Sequence, residues 1–298
     1  MNKKLKIGIL GSGNIGTDLL IKVLRSKYLE CTFFVGRNLS SSGMKKASDL
    51  GVRISDFSIQ TFINNPQKCD LVFDCTSAAY HLKHAPIFAN LGIKAIDMTP
   101  SQVGVLCVPA INMDECLDAD NINMITCGGQ ASIPIAHILK QTIPDIEYME
   151  VVSAIASRSA GPGTRANLDE YIENTEKGLK KFTGCHNVKA ILNLNPANPC
   201  IDMQISIFAK VSNCDTSILN QPMAKLEKNI KKYVPGYTVV VPPVFENGRI
   251  MTMVRVSGLG DYLPRYAGNL DIINCAAIAM AEEFAKRNGV RLNETGNY

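Results

Sequence analysis

Cys127 stands between a short apolar run, Asn121 to Thr126, and the Gly128-Gly129-Gln130 that leads into a predicted helix covering Ala131 to Leu139. A thiol at that point meets free backbone N–H groups and the positive end of the helix macrodipole. The setting is expected to lower a cysteine pKa from about 8.5 towards roughly 3.5–7.5, and the same amides could hold the oxyanion of a tetrahedral intermediate. A buried inert cysteine is the alternative reading; the adjacent glycine pair, with a glycine-rich turn near the N-terminus, favours the nucleophile. No histidine completes a Cys/His pair. His137 lies ten residues further along the same helix, about 15 Å away at 1.5 Å per residue. His81, His84 and His186 read as surface or internally satisfied residues.

The glycine-rich turn is Gly11-Ser12-Gly13-Asn14-Ile15-Gly16. It follows a predicted strand, Leu5 to Leu10, and opens a helix with Ile15, Leu19, Leu20, Val23 and Leu24 at spacings of three and four. That context turns a weak motif into a dinucleotide-binding one. Gly11 permits the tight turn, Gly13 lets the backbone approach a pyrophosphate, and Gly16 lets helix and strand pack closely. The second strand of such a unit should end on the acidic residue that holds the ribose 2′-hydroxyl of NAD. Here it reads Phe34-Val35-Gly36-Arg37-Asn38. Arg37 reads equally as a solvated loop arginine or as the partner of the 2′-phosphate of NADP, so NAD with NADP tolerated is the expected cofactor pattern.

A third segment, Ser159-Ala160-Gly161-Pro162-Gly163-Thr164-Arg165-Ala166-Asn167, combines two glycines and a proline with side-chain donors ahead of a helix. It is either a rigid turn that starts that helix or a loop laid against a ligand.

The elements that must hold these residues change in character along the chain. Up to about residue 140, short apolar strands alternate with helical stretches, as in a doubly wound parallel sheet. The strands expected are 5–10, 31–35, 70–75, 94–97, 103–108 and 121–126. Ser41 or Ser42 is placed to cap the helix that follows the second strand. Beyond Tyr148 come long β-like stretches at 149–157, 200–211, 237–244 and 250–257, with helices around 168–181 and 222–233, which suggests a mixed or antiparallel sheet. A last helix, 270–287, is rich in Ala and apolar residues and should pack back on the first unit.

With 298 residues, 46% hydrophobic and 19% charged, the chain has the composition of an ordinary globular enzyme with two modest cores. Its net charge of +4 is scattered, giving no support for nucleic-acid binding. No apolar run nears the ~18 residues that span a bilayer, and no secretory signal pattern precedes the first strand. Ten cysteines without a CxxC pair, and four histidines without zinc-ligand spacing, fit free thiols in a reducing cytoplasm and no metal.

Gly11 to Asp18, Thr126-Cys127-Gly128-Gly129-Gln130-Ala131, Ser159 to Asn167, Asn195-Pro196-Ala197 and Ala267-Gly268-Asn269-Leu270-Asp271 resemble, in order and over nearly the whole chain, the CoA-acylating acetaldehyde dehydrogenases. The resemblance implies an α/β fold, a Rossmann-type doubly wound parallel sheet with a second α+β domain in a glyceraldehyde-phosphate dehydrogenase-like architecture. It implies a dinucleotide domain at 1–129, completed by a C-terminal helix at 268–298, and a catalytic and dimerisation domain at 130–267. In that family the cysteine attacks a short aldehyde, hydride passes to the nicotinamide, and the acyl-thioester is transferred to coenzyme A. Carried over, Cys127 is the nucleophile and Asn167 helps hold the oxyanion. Ser12 to Ile15, Ser159 to Asn167 and Asn269 contact the cofactor. The implied partners are a small aldehyde, CoA, a second copy of the chain in a homodimer within a larger complex, and a 4-hydroxy-2-oxovalerate aldolase.

Two departures stand out. Counted from Asn195, the place of a family Asp that activates the thiol falls at Ile205, with Asp202 three residues earlier on the opposite strand face. An acidic residue is also usual where Arg37 stands. Two other readings stay open: a phosphorylating semialdehyde dehydrogenase, for which no anion-binding arginine cluster is found, and a weakly active dinucleotide-binding partner of an aldolase.

Overall fold

The computed structural model describes residues 4–290. Seven strands form one all-parallel sheet: β1 (Leu5–Leu10), β2 (Leu29–Val35), β3 (Ile54–Ser55), β4 (Leu71–Asp74), β5 (Lys94–Asp97), β6 (Val105–Leu106) and β7 (Asn121–Asn123), in the order β3-β2-β1-β4-β5-β7-β6. The helices between them are α1 (Asn14–Arg25), α2 (Ser42–Asp49), α3 (Gln60–Ile63), α4 (Ala78–Asn90) and α5 (Pro109–Cys116). Both faces of the sheet are covered, so its strands read as apolar runs rather than as alternating ones. Leu19, Leu20 and Val23 of α1 pack on one face. On the other, Phe33, Phe62 and Phe88 meet edge to face. From β1 the chain runs outward through β2 to β3 and then crosses to β4 on the other side of β1, and a ligand crevice opens beyond the strand ends at such a reversal.

The remainder comprises α6 (Cys127–Thr142), β8 (Tyr148–Ala156), α7 (Pro162–Ala166), α8 (Leu168–Thr183), β9 (Val188–Asn195), β10 (Met203–Lys210), α9 (Asn220–Lys231), β11 (Tyr237–Glu246), β12 (Arg249–Val256) and α10 (Gly268–Arg287). Its five strands run β11-β12-β10-β8-β9, antiparallel except for the β8–β9 pair. This is the mixed sheet expected from the strand lengths. Alternate residues face the core: Met149, Val151 and Ile155 from β8, and Met203, Ile205 and Ile207 from β10.

Helix α6 joins the two cores. Ala131, Ile133, Ile135, Ala136 and Leu139 are all buried in the core of the second sheet, and Cys127 at the helix start also touches the core of the first. It packs on α8, α10 and β10. Helix α10 lies on α1, where buried Lys22 meets Asp18 at 2.8 Å, Asp261 at 2.9 Å and Asp271 at 2.8 Å. A lone ammonium would be costly there; three carboxylates offset its lost hydration.

Several boundaries differ from the sequence expectation. The strand expected at 103–108 shrinks to Val105–Leu106, after Gly104 at φ +83°. The one expected at 121–126 ends at Asn123, because Ile125 turns to φ +63°. Strand β9 was not expected at all: its residues Val188–Asn195 mix Lys and Asn with apolar ones and lack clean alternation. Residues 1–3 and 291–298, included in the domain ranges given above, lie outside the described residues.

Candidate active site

The glycine turn is built as its chemistry requires. Gly11 has φ +118°, and a side chain there would strike the Cys75 backbone. At Gly16 a Cβ would collide with the Gly11 carbonyl, so only glycine lets α1 sit this close to β1. Beside Gly13 there is open space. Gly13 is also the N-cap of α1 and supplies no side-chain cap, so the first amides of the helix are left for a ligand.

Cys127 is the first residue of α6. It is aimed by the turn before it, where Ile125, a β-branched residue, holds a left-handed backbone at φ +63°. Such a conformation costs of order 1–3 kcal/mol and persists only where its surroundings over-determine it. Here the Ile125 amide donates to Asn123 Oδ1 (2.8 Å), and buried Asn174 donates to the Ile125 carbonyl (2.9 Å). Thr126 caps the helix by accepting from the Gly129 amide (2.9 Å), and its hydroxyl pairs with that of Thr175 on α8 at 2.7 Å.

The expected thiolate at neutral pH is corrected by this environment. Burial pushes the Cys127 thiol up to about 11; the Tyr171 hydroxyl and the Gly128 and Cys127 amides pull the other way and do not prevail. At this half-buried sulfur the cost of desolvating a charge opposes the helix terminus. Cys127 Sγ lies 3.8 Å from the phenol oxygen of Tyr171, a buried residue of α8. A Cβ on Gly128 would overlap that phenol and crowd the Ser153 hydroxyl. Tyr171 was missed by sequence reasoning, since it lies four residues beyond the Ser159–Asn167 motif on an ordinary amphipathic helix.

A cavity of about 530 Å³ connects Cys127 with the glycine turn. Gly11, Ser12, Gly13, Asn14, Ile15, Arg37, Ser159, Gly161, Pro162, Gly163, Thr164, Asn167 and Asn269 border it together with Cys127. Gly16, Ala160, Arg165 and Ala166 do not. Gly16 is consumed by packing, whereas Arg165 turns back to tie its own loop, donating to Ala160 O (3.0 Å) and to Ser157 O (3.0 Å) and Oγ (2.9 Å). Asn167 spends its amide N–H on Gly163 O at 2.6 Å. Buried Asn269 leaves Oδ1 without a partner among the described residues. With the uncapped α1, that orphan acceptor fits a polar cofactor lying along the cavity.

At the far end Arg37 lies over Tyr80 (5.7 Å to the ring centroid), and Tyr80 stacks on His84 (6.0 Å, 25°). His81 and His84 are satisfied rather than superficial. Both are buried, and their Nδ1 atoms lie 2.9 and 2.8 Å from Asp74 Oδ2. Asp74 is held down to about 2; burial opposes this, and the hydrogen bonds and charges of the two histidines prevail. His137 binds the Phe182 carbonyl, away from the thiol. Ile205 is fully buried and pairs across the sheet with Ser153. Asp202 precedes β10, and its carboxylate accepts from Ser257.

Comparison with known proteins places this geometry in context. Residues 127–264 match a family model described as prokaryotic acetaldehyde dehydrogenase, dimerisation, and residues 6–119 match one described as semialdehyde dehydrogenase, NAD binding domain. Acetaldehyde dehydrogenases of Spirochaeta aurantia and Pectobacterium atrosepticum are 59% and 56% identical, each over 95% of this chain and 96% of theirs. That of Carboxydothermus hydrogenoformans is 47% identical over 96% of this chain and 95% of its own. Among solved structures, aspartate semialdehyde dehydrogenase II of Vibrio cholerae, complexed with ASA, aligns with a TM-score of 0.61 at 14% identity, covering 96% of this chain and all of that one; this likeness concerns the fold.

Proposed function

The chain belongs to the acetaldehyde dehydrogenase family, and from that premise we propose that it is a CoA-acylating aldehyde dehydrogenase converting acetaldehyde or a similar short aldehyde to acyl-CoA. Cys127 carries this reading: the one cysteine at a helix start shares a cavity with the uncapped dinucleotide turn. Bound NAD supplies the hydride acceptor. Cys127 Sγ, once deprotonated, adds to the aldehyde carbon, and the oxygen so charged lies near the α6 amides and Asn167. After oxidation the acyl group is held on Cys127 as a thioester, which conserves the energy of oxidation; the thiol of CoA then attacks its carbonyl carbon and Cys127 Sγ leaves. Ser12 to Ile15, the Ser159–Thr164 loop and Asn269 position the dinucleotide.

The deciding experiment is NAD(P)H formation from acetaldehyde with CoA, with phosphate and with neither. Dependence on CoA is expected. Dependence on phosphate would assign a phosphorylating enzyme, and no turnover a binding partner of an aldolase. Cys127→Ala should lower the CoA-dependent rate by about a thousandfold or more; retained activity would refute the nucleophile.

The functional unit is taken to be a homodimer in the cytoplasm, working beside an aldolase that delivers the aldehyde. Ten unpaired cysteines support the reducing compartment. Among the described residues no helix is long and apolar enough to cross a membrane. The sheet face turned away from α6 supports the dimer: Val152, Phe208, Met251 and Met253 lie on it, only partly covered.

A further inference from the structure

Helix α6 supplies Cys127 with backbone amides, yet burial prevails over them. The Tyr171 hydroxyl is the side chain that works with those amides in favour of the thiolate. Tyr171 reaches from α8 to 3.8 Å from Cys127 Sγ, with the Ser153 hydroxyl of β8 on the same side of Gly128. Among the described residues no charged group contributes to the thiol's ionisation. On α10, Asp271 is engaged by Lys22. Asp74 and Asp97 are held by His81, His84, Ser101 and Asn123. On β10, the residue opposite Ser153 is the apolar Ile205. Cys75 and His84 border the same cavity, but neither acts on the sulfur.

Building on the nucleophile assigned above, we propose that Tyr171 is a catalytic hydrogen-bond donor, its phenol O–H turning onto Cys127 Sγ as the thiolate forms, with Ser153 holding the phenol in place. In the resting site the thiol donates to the phenol oxygen. On ionisation the sulfur proton leaves to solvent in the cavity, and the phenol keeps its own proton while pointing it at the sulfur. Tyr171 can fill this role because burial and the neighbouring sulfur raise its own ionisation well above the ordinary range, which favours the neutral phenol that can donate. Gly128 is then glycine to make room for the donor.

The test is the pH dependence of Cys127 alkylation by iodoacetamide in the full-length protein, mapped by mass spectrometry, a readout that needs no turnover. Tyr171→Phe keeps the ring and removes the donor. Its alkylation profile should move to higher pH by about one unit or more, the scale of a hydrogen bond to a charged group. Fluorotyrosine introduced at position 171, a stronger donor of nearly the same shape, should move it to lower pH. Opposite shifts are not expected of a residue that merely packs. An unchanged profile in either protein, with its melting temperature within a few degrees of wild type, overturns the proposal. Because alkylation is scored separately from the CoA-dependent assay, a wild type that alkylates but does not turn over acetaldehyde would sink the functional reading and leave the role of Tyr171 standing.

Discussion

Arg37 stands just beyond β2, exposed at the cavity rim with its guanidinium over Tyr80. An exposed guanidinium contributes little through a surface ion pair, but a planar fork beside a bound phosphate dianion contributes more. Arg37→Ala is therefore expected to weaken NADP about tenfold while leaving NAD within about twofold, measured by calorimetry. Equal losses for both would mean that Arg37 reads no phosphate. At the other end of the cavity the chemistry is decided by burial. Burial pushes the Cys127 thiol up to about 11, against the pull of the Tyr171 hydroxyl and the α6 amides.

Elements, rather than single residues, give these side chains their aim. Strand β5 ends on Asp97, whose carboxylate accepts from the Thr99 amide (2.8 Å) and the Asn123 side chain (2.7 Å), tying β5 to β7 just before the strained turn at Ile125. Burial pushes this carboxyl up from 3.8 to about 6, against the pull of His81 and its hydrogen bonds. Between those two values the folded protein binds more protons than the unfolded chain. The contribution of protonated Asp97 is thus fully present below about 3.8 and is lost as the pH rises through about 6. Urea unfolding of wild type and Asp97→Asn at pH 4 and pH 7 reads this directly. The wild type should lose up to about 3 kcal/mol relative to the variant across that interval, and a difference independent of pH would contradict the assignment.

The whole molecule places two cores around one helix. Helix α6 is packed by α8, α10 and β10, and Cys127 at its start touches the apolar cores of both units. The outer face of the second sheet is only partly covered by the described residues. Its cross-strand neighbours Val152, Ser206 and Met253 form a row beside Phe208 and Met251. A dimer through this face should be seen in sedimentation of the wild type, and Met253→Glu should shift it to monomer with little change in the circular dichroism spectrum. A monomeric wild type, or a variant that stays dimeric, would place the interface elsewhere.

Local patterns carried much of this from the sequence alone. The spacing of Gly11, Gly13 and Gly16 after an apolar run dictates a strand, a phosphate-sized turn and a helix, because each glycine answers a steric demand within a few residues. The parallel sheet followed from short apolar runs alternating with helical periodicity, and Cys127 from the glycine pair beside it. What stayed hidden depends on contacts between distant segments. Strand β9 forms because β8 offers a parallel edge, which its own mixed residues do not announce. The buried pairing of His81 and His84 with Asp74 requires α4 to fold back on β4. The burial that pushes the Cys127 thiol up, and the contact with a tyrosine 44 positions away, come from segments distant in the chain. Only the tertiary structure fixes desolvation, because it depends on every segment that excludes water and not on the residues beside the thiol in the chain.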